Sequence, residues 1–149
     1  MDRIYTVDIK GFKADLPVLP LPNGISICFF NLHGDSALTE HCGKELAKLL
    51  DGCDVVITAE SKGLQLSHVI ARELGQTLYL SKHDADLIKG KKVAIVDDVV
   101  STGGSLRGLE QIVNLAGGII YKKAFVLAEG DAAERDDIVY LAKIPIITD

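Results

Sequence analysis

The sequence predicts a single α/β domain built on a doubly wound, mainly parallel sheet. Three observations carry this. Segments 54–58 (Asp-Val-Val-Ile-Thr) and 93–96 (Val-Ala-Ile-Val) are short and almost wholly apolar, the pattern of strands covered on both faces. Stretches with helical spacing of apolar residues alternate with such strands. A glycine-rich turn, Ser101-Thr102-Gly103-Gly104-Ser105, leads from the second of these strands toward a helix.

Taken in order, residues 15–23 hold three of the four prolines and read as an extended, non-helical connection. A strand is expected at 25–31. Asp35 or Ser36 can cap a helix whose apolar positions are Leu38, Cys42, Leu46, Leu49 and Leu50. After the strand at 54–58 comes a helix over 64–74, with Leu64, Leu66, Val69, Ile70 and Leu74 as its apolar set. A strand at 77–80 precedes the one at 93–96. The next helix spans 104–116, with Leu106, Leu109, Ile112, Val113 and Ala116 on one face, and Gly117-Gly118 ends it. Strands at 119–128 and 138–141 complete the order.

Composition narrows the function. The 149 residues suit one domain with a real core, and 48% hydrophobic with 25% charged residues is a globular balance. A net charge of −5 argues against a broad nucleic-acid surface or an anionic-membrane surface, since no excess of Lys and Arg exists to neutralise phosphates. Cys28, Cys42 and Cys53 form no CxxC pair, and their odd number reads as reduced thiols in a cytoplasmic protein. The first residues, Met1-Asp2-Arg3, are too polar for a signal peptide, and no apolar run approaches a membrane span.

The chemistry is concentrated at 97–105. Gly103 and Gly104 allow backbone conformations in which successive N–H groups converge on an anion. The following helix adds the partial positive charge of its N-terminus, and Ser101, Thr102 and Ser105 add hydroxyl donors. This is a phosphate cradle that needs no Lys or Arg. Asp97 and Asp98, placed just before it, suit the hydroxyls of a sugar, directly or through a magnesium ion that keeps several waters. A ribose and its 5'-phosphate can thus lie along one loop. Thr-Gly-Gly-Ser alone would read as a turn and helix cap; the run of buried strand, two acids, S-T-G-G-S and amphipathic helix is far more specific. A receiver domain also sets adjacent acids after an apolar strand, but too little chain follows Asp98 for its remaining units.

The run 93–105 resembles the phosphoribosyl-pyrophosphate motif of the type I phosphoribosyltransferases. The likeness extends from about residue 5 to the C-terminus and is greatest to the adenine and xanthine branch. It includes the Leu-Pro segment near the N-terminus, Lys89-Gly-Lys-Lys-Val93, Gly117-Gly118 and Ile144-Pro-Ile-Ile147. The resemblance implies one domain over 1–149, with an N-terminal hood over about 1–34 and a core over about 35–149. It implies transfer of ribose 5-phosphate from phosphoribosyl pyrophosphate to a purine base, adenine before xanthine, with release of pyrophosphate. Asp97 and Asp98 would hold the ribose and magnesium, and Ser101 through Ser105 the 5'-phosphate. Residues 59–63, Ala-Glu-Ser-Lys-Gly, match the family's pyrophosphate loop, so Glu60, Ser61, Lys62 and Gly63 would face the pyrophosphate, often in the family across a non-proline cis peptide. Phe30 in the hood and Glu129 after strand 119–128 would approach the base. A homodimer follows from the family habit.

One departure stands out. Active members carry a long mobile loop ahead of the strand that leads to the acids, with an Arg-Lys pair before it. Here the flanks join near Gly75–Gln76 without it. Loss from the gene, removal from the chain and omission of an unordered stretch all fit this junction. A non-catalytic phosphoribosyl-pyrophosphate or nucleotide-binding regulator on the same fold is therefore the alternative to an enzyme. His33, His41, His68 and His83 have no mutual ligand spacing, and Asp131, Glu134, Asp136 and Asp137 read as a solvated acidic turn.

Overall fold

A computed structural model describes residues 3–75 and 79–148. The junction expected at Gly75–Gln76 and part of the strand expected at 77–80 lie outside the described residues.

The chain begins with a hairpin absent from the sequence reading. Strand β1 (Ile4–Ile9) turns at Lys10-Gly11, both at positive φ, into β2 (Phe12–Pro20). Such a two-residue turn matches the right-handed twist of the flanking strands. The proline-rich stretch is therefore a strand over most of its length. Pro17 has no N–H to give, but its carbonyl accepts from Phe29 N–H at 2.8 Å. The next residue, Val18, donates to the Arg3 carbonyl at 2.9 Å. Strand β3 (Ile25–Cys28) pairs with β2 and, on its other side, with the last strand, β9 (Ile146–Thr148), closing an antiparallel sheet in the order β1-β2-β3-β9.

The core sheet is parallel throughout. Helix α1 (Ser36–Ala47) is capped by Asp35, whose carboxylate accepts from Leu38 N–H at 3.0 Å. Then follow β4 (Val55–Thr58), α2 (Leu64–Glu73), β5 (Tyr79–Ser81), a 3-10 turn (Lys82–Ile88), β6 (Lys92–Val100), α3 (Gly104–Leu115), β7 (Ile119–Glu129), a second 3-10 turn (Gly130–Glu134) and β8 (Val139–Ile144). The strand order is β5-β4-β6-β7-β8, the open α/β arrangement expected. Alternate residues serve the two faces. Val56, Ala94 and Val96 pack under α1, α2 and the N-terminal sheet, whereas Val55, Ile57, Val93 and Ile95 pack under α3.

One boundary differs with consequences for the site. Strand β6 does not end at Asp97-Asp98 but continues to Val100, because Val99 and Val100 stay paired with Leu127 and Ala128 of β7. The acids thus belong to a strand rather than to a loose loop. Helices α1 and α2 approach closely at Gly43, where an added Cβ would overlap Val69 Cγ1 and lie 2.6 Å from its Cβ.

Gly43→Ala should therefore lower stability by about 1–3 kcal/mol through overpacking. Urea unfolding measures the loss, and combining it with Val69→Ala should recover part of it.

A cavity at the carboxyl ends of the core strands

Because β4, β6 and β7 run parallel, their carboxyl ends open on one edge of the sheet. A cavity of about 560 Å³ lies between that edge and the end of β3. Glu60, Ser61, Lys62, Asp97, Asp98, Ser101, Ser105, Glu129 and Phe30 line it, so most of the residues singled out in the sequence meet there. Thr102, Gly103 and Gly104 line a smaller hollow of about 70 Å³ that shares Asp97 and Ser105 with the first.

Gly63 lines neither space; it caps α2. Its role is steric. A Cβ there would overlap Thr58 Oγ1 and sit 3.1 Å from Asp97 Oδ1, so only glycine lets the 60–63 segment lie against the strand ends. The Glu60–Ser61 peptide is cis, the form the family resemblance implies. Lys62 Nζ stands 4.9 Å over the Phe29 ring, and Glu60 Oε1 is 3.8 Å from His83 Nε2.

The acids are held by their own backbone. Asp98 N–H donates to Asp97 Oδ1 at 2.9 Å, and Val99 N–H donates to Asp98 Oδ1 at 2.8 Å. Asp98 is buried and Asp97 half-buried. Burial pushes the Asp97 carboxyl up to about 7, the negative charge of Asp98 adds to the rise, and Lys62 pulls the other way. The two segments thus communicate electrostatically: the cation of one bears on the acid of the other. Such a pair attracts hydroxyl donors or a cation.

The 101–105 turn divides its work. Gly103, buried at φ +84, precedes the first turn of α3 and lines the small hollow with Thr102, Gly104 and Ser105. Ser101 is turned elsewhere: its hydroxyl donates to Glu129 Oε1 at 2.8 Å, tying the end of β7 to the loop. Beside Phe30, which the sequence reading named, Phe29 and Cys28 also line the cavity. Phe30 is nearly enclosed, at 3% exposure, while its neighbour Phe29, at 36%, is the ring more open to solvent. Cys28 also lines the space, with its thiol pushed up by burial and then by Glu129. Two guanidinium groups, Arg107 and Arg135, stand beside Gly103, although the sequence reading gave the cradle no cation. Nothing local in the sequence marks Arg135, which only the return of the chain into β8 brings there. Asp137, read as part of a solvated turn, binds Arg135 and Lys123.

Comparison with known proteins gives a consistent picture. No family model matches the chain. The adenine phosphoribosyltransferase of Methanococcus maripaludis is 29% identical, over 90% of this chain and 86% of that protein. A hypoxanthine/guanine phosphoribosyltransferase of Methanopyrus kandleri is 31% identical, over 76% of this chain and 63% of that protein. The crystal structure of an adenine phosphoribosyltransferase from Rhodothermus marinus superposes with a TM-score of 0.68 at 20% identity, over 95% of this chain and 94% of that one, and shows the fold. The Methanococcus alignment runs over 161 positions against the 149 residues here, so that protein has residues with no counterpart in this chain.

A raised Asp97 makes stability depend on pH with a definite sign. Above about 7 the folded chain bears the full cost of two adjacent buried-edge charges; as pH falls through 7 toward the ordinary carboxylate range near 4 the folded form takes up a proton that the unfolded chain still lacks, and the cost fades. Asp97→Asn should therefore be more stable than the parent at pH 8, by roughly 1 kcal/mol or more, with the gap closing toward pH 4. Denaturant titrations at the two pH values test this.

Proposed function

We propose that this chain, which belongs to the type I phosphoribosyltransferase family and to its adenine branch, transfers ribose 5-phosphate from phosphoribosyl pyrophosphate to a purine base, adenine above all, and releases pyrophosphate. The observation that carries the reading is the convergence of three separate segments, 60–62, 97–105 and Glu129, on one cavity and the hollow beside it at the carboxyl edge of the sheet.

In this reading the amides of 102–105 hold the 5'-phosphate in the small hollow, with the dipole of α3 behind them. Asp97 and Asp98 accept hydrogen bonds from the ribose hydroxyls. Residues 60–62 receive the pyrophosphate, which leaves as the bond at the anomeric carbon loosens and a base nitrogen forms the new one. Positive charge builds on the ribose in that transition state, as in glycoside chemistry. The chain contributes position and electrostatics: Lys62 opposes the departing negative charge, and Asp97 and Asp98 face the developing positive one.

The donor set also fits magnesium. Like-charge repulsion within the Asp97–Asp98 pair would be relieved by a divalent cation. No group of three or more His, Cys, Asp or Glu among the described residues could hold a metal alone, which suits an ion shared with substrate oxygens and water. Bound there, magnesium would neutralise pyrophosphate charge, with Asp97 and Asp98 as its protein partners. Phe29, Phe30 and Glu129 form the base end of the cavity, with Glu129 aligned by Ser101. The family likeness further supports a homodimer working in the cytoplasm.

A second reading, a non-catalytic binder of the same ligands, is favoured by one observation: the relative's extra residues, which this chain lacks. Pyrophosphate release from phosphoribosyl pyrophosphate with magnesium decides between them. Turnover is expected with adenine and slower turnover, or none, with hypoxanthine, guanine and xanthine. Retained binding of phosphoribosyl pyrophosphate without turnover of any base would establish the binder. Asp98→Asn should weaken phosphoribosyl-pyrophosphate binding about tenfold or more, because charge-assisted hydrogen bonds are lost; unchanged affinity would remove the acids from the site.

A further inference from the structure

Arg135 follows the 3-10 turn Gly130–Glu134, on the way from β7 to β8. Its Nε donates to Asp137 Oδ1 at 2.8 Å and its Nη2 to Asp137 Oδ2 at 2.7 Å, a fork-to-carboxylate pair. Asp137 is itself held by Lys123 of β7 at 3.0 Å, and Lys123 stands 3.7 Å from Glu110 of α3. Tyr140 steadies the preceding turn by donating to the Ala133 carbonyl at 2.9 Å. Two of the three guanidinium nitrogens are thus fixed on one side, and Nη1 is left on the other.

That nitrogen lies against the glycine turn. A Cβ on residue 103 would be 3.0 Å from Arg135 Nη1 and 3.3 Å from Arg107 Nη1. Arg107 is held there by donating to the Thr102 carbonyl at 3.2 Å. Two guanidinium groups therefore converge on one point beside a glycine at positive φ. Asp137 occupies one side of the Arg135 guanidinium, so an anion on the turn would meet the remaining Nη1 together with Arg107 Nη1.

We propose that Arg135, oriented by Asp137, is a positioning and selectivity residue for the dianionic 5'-phosphate, supplying with Arg107 the charge that the amides of 102–105 lack. The inference rests on the reading of that turn as the 5'-phosphate site. It makes the turn selective for phosphorylated over unphosphorylated ribosides through a side chain remote in sequence. A Cβ on residue 103 would strain the backbone at φ +84 and displace the two guanidinium tips slightly.

Calorimetric titration of the full chain with adenosine monophosphate, and separately with magnesium pyrophosphate, tests this. Arg135→Gln should weaken monophosphate binding about tenfold, the scale of a lost charge-assisted contact. Its pyrophosphate affinity should stay within about twofold, since that ligand binds at a separate segment. Asp137→Asn, which keeps the cation but frees it, should give a smaller loss confined to the monophosphate. Undiminished monophosphate affinity in Arg135→Gln overturns the inference, as does an equal loss for both ligands, the mark of a merely structural role. Should that variant fail to fold, Asp137→Asn decides by the same two ligands. A parent chain that binds pyrophosphate but no monophosphate would instead remove the phosphate-site reading on which the inference stands.

Discussion

Two adjacent carboxylates at the carboxyl end of a central parallel strand set the terms for everything around them. Strand β6 is buried on both faces, and carrying charge into such a place is costly unless partners are brought to it. The chain meets the cost locally first, by folding each carboxylate back onto the next backbone N–H. Lys62, from the segment after β4, then opposes the negative field. Part of the cost remains, as the raised Asp97 carboxyl shows, and a hydroxyl-rich or cationic ligand would offset it. A carboxyl perturbed by burial and a like-charged neighbour at a strand end marks a candidate binding site.

Glycines decide how near the neighbouring segments come. Gly63 lets the segment after β4 press on Thr58 and Asp97, and Gly103 lets the turn after β6 take a left-handed conformation beside two arginines. Gly43 has the same function far from the cavity, allowing α1 and α2 to close over one face of the sheet. Removing a side chain at these three points fixes distances that no attractive contact could fix as sharply, since repulsion rises far more steeply than dispersion attraction.

Much of this was legible in the sequence. The core strands were visible as short apolar runs because both faces of each are covered, and the helices because only one face is. The turn after β6 was visible because acid, hydroxyl and glycine residues in that order have few structural uses, and the turn after β4 through its resemblance to the family's pyrophosphate loop. The N-terminal hairpin was not legible. Strand β1 alternates in burial, but apolar Ile4 on its exposed face blurs the pattern in the sequence, and prolines disguised β2, where neighbouring residues supply the hydrogen bonds that Pro17 cannot. The length of β6 was misread because polar Asp97-Asp98 interrupts an apolar run, although pairing with β7 carries the strand past them.

By itself the sequence determined the order of the core elements, the parallel core and the turn after β6, since each follows from local periodicity or from the conformational freedom of particular residues. Only the tertiary structure decided which side chains meet. It turned Ser101 toward Glu129, brought Lys62 over Phe29, and set Arg135 and Arg107 together at Gly103. Those pairings depend on where parallel strands end in space and on how the chain returns between β7 and β8. Contacts between residues far apart in the chain are fixed by packing and register, which no local pattern encodes.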